Sequence, residues 1–575
     1  MRTRTMHQAA QMETDRQSPA EAIPAMSGVS RRGFIGRAGG IAAASVAAGT
    51  LGGVPLPSVA TATPARTRTA YSRSVGGRAR AEQSYAIRVG CADDQRKHIA
   101  SIVVNGDETA YGARTGNFTK GLPHNAMGEV DPAAYEALLA ALLSARPADF
   151  EALPLGGAAR FANPQGAYAY HLEGTDSAAL AVPPPPAFSS AQEADEMAEL
   201  YWHALARDVP FADYATAPLI GRAADDLSRL SSLHAPTANG AVTPATIFRT
   251  GLAGELTGPY LSQFLWQPVP YGAMTVAQLY PVAPSTEFMT SYDAWLTVQQ
   301  GRYSPPRPTG VPAGLPPTRH MCCGRDLATF LHADFTYQAY LNTCLILNKL
   351  GTLDAGNPYL HSRTQVAVST FGPQHALDLV AKAANAALKA SWYHKWLVHR
   401  RLRPEEFGGR VHLHRTRGAQ YPIHADLLST SGVLDVVWQR YGSYLLPIAY
   451  PEGAPMHPSY PAAHCTVTGA CVTILKAFFD EAAPLPNPVV ANADGSALQP
   501  YSGPALTVGS ELNKLAGNLA VGRAFGGVHW RSDNTVGLQL GEAVALGILA
   551  DERRTYNEQF GGFSLTTFAG KAITV

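Results

Sequence analysis

The 575-residue sequence has no excess of charge of either sign, with 45 basic residues against 44 acidic ones. Residues 1–65 hold six of the basic and three of the acidic residues, so the remainder holds 39 against 41. This balance provides no basic stripe for nucleic acid, and beyond the amino-terminal segment no long apolar run predicts a membrane span. We therefore expect neither nucleic acid nor a membrane among the partners of the mature chain.

Cysteine is scarce as well, at six residues. This number is too small for the dense disulfide framework of small secreted domains. One or two bridges are compatible with it, but their pairing cannot be read from a sequence. Because no zinc-binding spacing such as Cys-x2-Cys is present, the adjacent pair Cys322-Cys323 is interpreted as two buried thiols.

Residues 1–65 have the composition of a targeting segment rather than of a folded domain. Arg31-Arg32 stands within Ser-Arg-Arg-Gly-Phe-Ile, which is similar to a twin-arginine export signal, and Ala60-Thr61-Ala62 is one candidate cleavage site. The intervening small-residue run is short and weak for a membrane helix, although an amino-terminal anchor is the structural alternative. We therefore expect a bacterial protein that is exported already folded, to a secreted or periplasmic location, with residues 66–84 as a flexible leader.

Residues 85–325 predict a loop-rich, partly helical region. Two segments, 84–90 and 100–106, have weak strand patterns. Asp131 precedes a proline and caps a predicted helix, and Ser190 with Glu193 forms the capping box of another. Proline-rich stretches at 183–186 and 304–317 predict stiff connections.

Residues 326–575 predict a helical bundle, because apolar residues recur there with the helical period. Residues 327–351 are expected to form one long helix that Gly351 ends, and another helix opens at Pro373 and runs through 378–396. Further helices are predicted at 433–442, after His464, at 511–525 and at 535–558. The expected fold class is mainly α, with at least six helices and few short strands.

Arg523, Gly526-Gly527, His529 and Asp533 form the stretch that carries the strongest chemical signal. Arginine presents a fixed fork of donors to an oxyanion, and histidine has a ring nitrogen that can ligate a metal or attack phosphorus. On one unbroken helix these two residues would point about 120° apart. The glycine pair permits a break in the helix that brings them to one site.

Two other stretches supply residues of the same kind. Lys395 lies late in a predicted helix, and Arg403 precedes Pro404, which biases it out of the helix and towards the lysine. His457-Pro-Ser-Tyr-Pro-Ala-Ala-His464 precedes an apolar run, and Pro461 fits a first helical turn whose free N–H groups bind anions. All three stretches predict one ligand class, a small and highly charged oxyanion.

The order and spacing of these motifs resemble those of the vanadium-dependent haloperoxidases, whose pattern is shared by the type 2 phosphatidic acid phosphatase superfamily. The seven residues between Lys395 and Arg403, the sequence His-Pro-Ser-Tyr-Pro, and Gly-Gly-Val-His-Trp-Arg-Ser-Asp are more similar to algal bromoperoxidases than to fungal chloroperoxidases. Segments at 105–108, 116–132 and 258–272 extend the resemblance over most of the mature chain. The middle motif departs from the family, because Ala462-Ala463 replaces the usual Ser-Gly.

The resemblance implies a helical fold and a vanadate cofactor that is bound covalently only through His529. Lys395, Arg403 and Arg523 would neutralise the vanadate oxygens, and the backbone N–H of Ala463 would replace that of the family glycine. Ala462 stands where a serine hydroxyl usually contacts the cofactor.

The resemblance also implies the catalytic roles and the reaction. Lys395 would polarise bound peroxide, His464 would act as acid and base, and His457 would tune halide oxidation or proton delivery. The implied substrates are hydrogen peroxide, a halide (bromide, with chloride left open) and a small organic acceptor. Relatives of this kind imply a homo-oligomer, a dimer or larger.

Several alternatives stay open from the sequence. In an exported acid phosphatase, His529 would be the nucleophile, His464 the acid, and the three cations the phosphate clamp; an oxyanion-binding protein without turnover is a third reading. Asp533 could orient His529 or cap a helix that starts at Asn534. Trp392 could line the halide region or pack in the core.

Overall fold

The protein is described from a computed structural model, for residues 77–303 and 317–575. The predicted signal segment 1–65, the leader up to residue 76 and the proline-rich stretch 304–316 lie outside the described residues. In the part of the chain that the structure describes, no helix is both long and apolar enough to cross a bilayer.

The amino-terminal part contains short helices that are separated by long loops. Its helices are α1 Gly77–Gln95, α2 Asp107–Ala110, α3 Pro132–Ser144, α4 Pro147–Glu151, α5 Ala191–Ala206, α6 Pro218–Leu227 and α7 Tyr292–Gln299. As predicted, the Asp131 side chain caps α3 by accepting from the N–H of Ala134 at 2.9 Å. Half of the predicted capping box also forms, since Ser190 accepts from the N–H of Glu193 at 3.1 Å. The Glu193 carboxylate instead bonds Arg401, so the box is not closed.

The strand predictions for 84–90 and 100–106 are wrong. The first segment lies inside α1, which begins at Gly77 within the predicted leader, and the second forms neither a helix nor a strand. Alanine, arginine and glutamine flank the first segment, and their helix propensity outweighs its short apolar alternation.

Strands are confined to four two-stranded antiparallel ribbons in the described chain. The pairs are β1 Val269–Tyr271 with β2 Met274–Val276, β3 Tyr280–Pro281 with β4 Thr318–Arg319, β5 Val489–Ala491 with β6 Leu498–Pro500, and β7 Ser564–Thr566 with β8 Ala572–Thr574. The mainly α fold class with few short strands is therefore confirmed.

The carboxyl-terminal part is a helical bundle. Its helices are α8 Gly324–Ala333, α9 Gln338–Leu350, α10 Pro373–Trp392, α11 Pro404–Arg417, α12 Val433–Tyr441, α13 Ala463–Phe478, α14 Val508–Phe525 and α15 Arg531–Glu552. Helix α13 packs closely against α15 at two glycines. A Cβ on Gly541 would lie 2.0 Å from the Thr466 oxygen, and one on Gly469 would lie 2.1 Å from the Leu538 oxygen. This approach aligns the amino-terminal ends of both helices.

The single helix predicted over 327–351 is wrong, because residues 334–337 separate α8 from α9. Asp334, Phe335, Thr336 and Tyr337 all have modest helix propensity, and the apolar period continues across them because both helices are buried on one side. Gly351 ends α9 as predicted, with a left-handed φ of 71°.

Candidate active site

The predicted site residues lie at the ends of helices that meet inside the bundle. Lys395 is in a π-helical turn, Tyr393–His399, that continues α10, and Arg403 is the N-cap of α11. Arg523 is in the last turn of α14, and His529 is in the loop before α15. Gly527 has a φ of 80°, so the glycine pair breaks the helix as predicted.

Arg403 joins two of the predicted motifs. Its Nη1 donates to the Val528 carbonyl at 2.7 Å and to His529 Nε2 at 3.0 Å. Its Nε donates to the carbonyl of His457 at 2.9 Å, and its Nη2 lies 3.0 Å from that residue's Nδ1. The guanidinium is completely buried, so its position is fixed on every side.

His529 presents one ring nitrogen to the cations. Its Nδ1 lies 2.9 Å from Asp533 Oδ2; because a carboxylate accepts, Nδ1 carries the proton and Nε2 keeps its lone pair. The predicted helix start at Asn534 is wrong, since α15 begins at Arg531 and Asp533 lies in its first turn. There the carboxylate also accepts from the N–H of Trp530 at 3.2 Å. Asp533 therefore orients His529 and caps the helix together.

Lys395 is fully buried, and its ammonium donates to the carbonyls of Pro458 at 2.9 Å and Ser459 at 2.5 Å. These are its two acceptors within residues 77–303 and 317–575, so one N–H group stays available. Burial, and then the positive charge of Arg403, hold the pKa of Lys395 well below its usual value.

Arg523 completes the cluster that it forms with Lys395, Arg403 and His529, here called the pocket. In this pocket the cations outnumber the carboxylates. Its Nη1 donates to the Leu331 carbonyl at 2.8 Å, whereas its buried Nε has no hydrogen-bond partner in the described chain. Burial lowers the pKa of Arg403 to about 9, with Asp533 opposing this shift and Arg523 adding to it. Buried donors that exceed their acceptors favour a bound oxyanion, so the residues present fit vanadate.

The middle motif lies at the start of α13. Ala462 is the buried N-cap, and its N–H donates to the Asp533 carbonyl at 2.9 Å. Ala463 is the first helical residue, and its N–H belongs to the donors that a helix leaves unsatisfied. Pro461 precedes the N-cap rather than standing in the first turn. An anion-binding helix start is thus present, without a hydroxyl at residue 462.

His464 lies at the edge of the pocket, with its side chain 25% exposed. Its Nε2 is 3.1 Å from Asp334 Oδ1, which comes from the break between α8 and α9. Burial, and then Arg523, lower the pKa of His464, while Asp334 opposes this shift. The ring is therefore neutral near pH 7, and its Nδ1 can accept a proton.

His457 packs against Trp392, with ring centroids 4.8 Å apart. Trp392 is half-buried, and its indole N–H donates to the Asn163 carbonyl at 3.0 Å. Burial, and then the positive charge of Arg403, hold the pKa of His457 well below its usual value. Trp392 therefore borders the site beside His457.

Several residues of the site were not identified from the sequence. Arg401 Nη1 donates to Asp533 Oδ1 at 2.7 Å, and its Nη2 forms a buried ion pair with Glu193 of α5. Ser459 Oγ also donates to the Asp533 carboxylate. A signal was present, because Glu193, Glu196 and Glu199 recur every three residues among the many apolar residues of α5. Carboxylates on a buried face require cationic partners.

The fold and the site define a helical-bundle enzyme with a buried oxyanion pocket. The family model described as the VCPO second helical-bundle domain matches residues 376–558. A vanadium-dependent bromoperoxidase of Ascophyllum nodosum is 34% identical over 530 residues, with 86% of this chain and 92% of that protein covered. One of Corallina pilulifera is 33% identical over 594 residues, with 86% and 98% covered.

A solved structure extends the comparison to the fold. The homohexameric second vanadate-dependent bromoperoxidase of Ascophyllum nodosum has a TM-score of 0.80 and 28% identity, with 91% of this chain and 94% of that chain covered. The chain belongs to the vanadium-dependent bromoperoxidase family. It is a haloperoxidase with vanadate as its cofactor, an oxidoreductase that oxidises halide with hydrogen peroxide. The resemblance to this family is thus confirmed, and the phosphatase alternative is not favoured.

Proposed function

We propose that this chain oxidises bromide, with His529 Nε2 as the one protein ligand of vanadate. Bound vanadate supplies a Lewis-acidic centre at which peroxide is activated. The observation that carries the proposal is the setting of His529: Asp533 holds Nδ1, Arg403 Nη1 lies 3.0 Å from Nε2, and burial, together with the positive charges of Arg403, Lys395 and Arg523, lowers the pKa of the ring. We propose bromide rather than chloride as the substrate because the relatives that match most of the chain are bromoperoxidases.

The position of each predicted residue supports the role that the resemblance implies for it. Arg403, Arg523 and Lys395 would bind the vanadate oxygens, and Lys395 would use its remaining N–H to polarise peroxide oxygen. The N–H groups of Ala463 and its neighbours at the start of α13 would bind a further oxygen.

The two histidines of the middle motif would handle protons and halide. Asp334 fixes His464 Nε2, so Nδ1 of that ring would take the proton from peroxide and return it later. His457 and Trp392 lie together beside Arg403, where they would shape the path of the halide.

The first prediction is that metal-free protein gains peroxide-dependent bromination of a phenolic dye when orthovanadate is added, and that phosphate competes. His529→Ala, which removes the ligand nitrogen, is expected to take up no stoichiometric vanadate. Folded His412→Ala is the matched control, because that histidine lies on α11 and stacks on Tyr292. Hydrolysis of an aryl phosphate without any vanadate-dependent halogenation would favour the phosphatase instead.

We further propose that the chain is exported by the twin-arginine route, is cleaved near residue 62 and acts outside the cytoplasm. This rests on Arg31-Arg32 and the small-residue run that follows. The division of the mature chain near residue 326 into a loop-rich part and a bundle is likewise a proposal, supported by the change from loops to long helices.

We also propose a homo-oligomer of more than two copies, because the Ascophyllum relative is homohexameric. The segment 99–104, which lies outside helices and strands, supports this, since Ile99, Ile102, Val103 and Val104 are each at least 54% exposed. Light scattering on the full-length protein counts the copies; a monomer or a dimer would contradict the proposal.

A further inference from the structure

A second group of ligand-type side chains lies at the start of α8, apart from the oxyanion pocket. Cys322, Cys323 and Asp326 offer two sulfurs and a carboxylate oxygen, which all lie within 4.8 Å of one another. The three residues are 5%, 2% and 2% exposed. Buried thiols and a buried carboxylate that converge on one point have the composition of a metal site.

The two oxygens of the Asp326 carboxylate have different partners. Its Oδ1 accepts from Arg319 Nη2 at 2.8 Å and from Nε at 3.2 Å. Its Oδ2 accepts from the N–H of Cys322 at 2.9 Å and lies 3.4 Å from the Sγ of that residue. One oxygen is therefore held by the guanidinium, and the other faces the thiols. An outer partner of this kind typically orients a metal-binding carboxylate.

The distance between Cys322 Sγ and Asp326 Oδ2 suits two ligands of a tetrahedral cation. Zinc bonds of about 2.3 Å to sulfur and about 2.1 Å to oxygen place those two ligand atoms roughly 3.6 Å apart. The distance of 3.4 Å from Cys322 Sγ to Asp326 Oδ2 is close to this value. Sulfur ligands select zinc-type cations over magnesium and calcium, which take oxygen.

The backbone around the thiols is fixed. The N–H of Phe211 donates to the Cys322 carbonyl at 2.8 Å, and Pro210 forms an antiparallel bridge with Cys323. The Arg319 side chain is 24% exposed, and its Nη2 donates to Cys323 Sγ at 3.5 Å. Two thiolates and one carboxylate, together with this guanidinium and a divalent cation, sum to zero charge, so a buried metal would be neutralised.

We propose that Cys322, Cys323 and Asp326 bind one thiophilic divalent cation of the zinc type, at a site separate from the vanadate pocket. Three protein ligands leave the fourth position to water. Its role is structural: α8 begins here and ends about 15 Å away, beside the pocket, where the Leu331 carbonyl accepts from Arg523 and Asp334 contacts His464. A cation at the start of this helix holds those two contacts in place.

The test is titration of the reduced, metal-free, full-length protein with cadmium and with zinc. One equivalent of cadmium is expected to produce the ultraviolet charge-transfer band of cadmium–thiolate bonds, and one equivalent of zinc to raise the thermal midpoint. Cys322→Ser and Cys323→Ser are expected to lose the stoichiometric band. The matched control is Cys344→Ser, which removes a buried thiol that accepts only from Asn348 among the described residues.

A second variant guards against misfolding of the serine variants. Asp326→Asn keeps both thiols and the shape of the side chain, and it is expected to bind cadmium at least about tenfold more weakly with the band intact. Wild-type protein that takes up no equivalent of either metal would overturn the proposal. Equal affinity in wild type and Asp326→Asn, or a full band in Cys322→Ser, would do the same.

Discussion

Ala462 is the residue at which the middle motif departs from the family pattern that the sequence resembles. As the N-cap of α13 it is fully buried, and the resemblance implies a serine hydroxyl where its methyl group stands. A methyl group can neither cap the helix nor hydrogen-bond an oxyanion. Three cations and a ligand nitrogen remain, so the loss is expected to weaken vanadate binding without abolishing it.

We predict that Ala462→Ser binds vanadate more tightly by roughly 1 kcal/mol, the size of an ordinary hydrogen bond, and changes the ratio of bromide to chloride turnover. Vanadate titration and halide kinetics on both forms measure this. A serine here can also cap α13, which would raise the thermal midpoint of the vanadate-free protein too. Equal vanadate affinity and unchanged halide ratios would show that residue 462 does not face the cofactor.

The motif residues could be identified from the sequence because their spacing is local and their chemistry is shared. Lys395, Arg403, Arg523 and His529 needed only the helix breaks that proline and glycine signal. Arg401 and Glu193 could not be paired in this way, since 208 positions separate them and only burial makes the ion pair necessary.

Among the helices, the break between α8 and α9 is the most important for the site, because Asp334 lies in it and contacts His464. We predict that Asp334→Asn keeps this contact but removes a negative charge that raises the pKa of His464. The pKa of the ring then falls further, so the neutral, proton-accepting form persists to lower pH. The acid limb of kcat/KM is expected to move to lower pH.

The measurement is the pH profile of the vanadate-loaded enzyme. Glu452→Gln is the matched control, because it removes a carboxylate from His332, a neighbouring histidine that is not in the pocket. An acid limb that stays in place in Asp334→Asn would contradict the assignment of His464 as the base. The break between α8 and α9 was not predicted from the sequence, because apolar residues that recur with the helical period across two buried helices resemble those of one continuous helix.

The contact between α13 and α15 aligns the ends that carry His464 and His529. We predict that Gly541→Ala lowers the free energy of unfolding by about 1–3 kcal/mol, because its methyl group would meet backbone atoms of α13. Denaturant midpoints measure this. Gly221→Ala in α6 is the control, since a Cβ there meets nothing within 4 Å; it is expected to stabilise by up to about 1 kcal/mol. If Gly541→Ala were as stable as the wild type, α13 and α15 could move apart at no cost, which would contradict the close contact described.

At the scale of the whole molecule, export is the proposal that the sequence alone supports. We predict that replacing Arg31 and Arg32 together with lysine leaves the protein in the cytoplasm, because a twin-arginine signal depends on the arginine pair. Immunodetection in cell fractions measures this. The same exchange at Arg2 and Arg4 keeps the charge balance comparable and is expected to leave export intact. Normal secretion of the first variant would contradict this route.

The mainly helical architecture could be predicted because amphipathic period and helix-ending residues are written locally in the bundle. The long loops of residues 85–303 could not, since their conformations depend on contacts made far along the chain. Thr119 and Lys120, for example, bond the carboxylates of Glu406 and Glu405. Neither end of such a pair carries a local signal.

All six cysteines of this protein are buried and form no disulfide, in a molecule whose product is an oxidised halogen. Burial raises the pKa of Cys344 to about 12, and sulfur that is both protonated and enclosed is slow to oxidise. The folded protein therefore shields its cysteine sulfurs from the oxidant that it produces. We therefore expect oxidation of these sulfurs to require local opening of the interior.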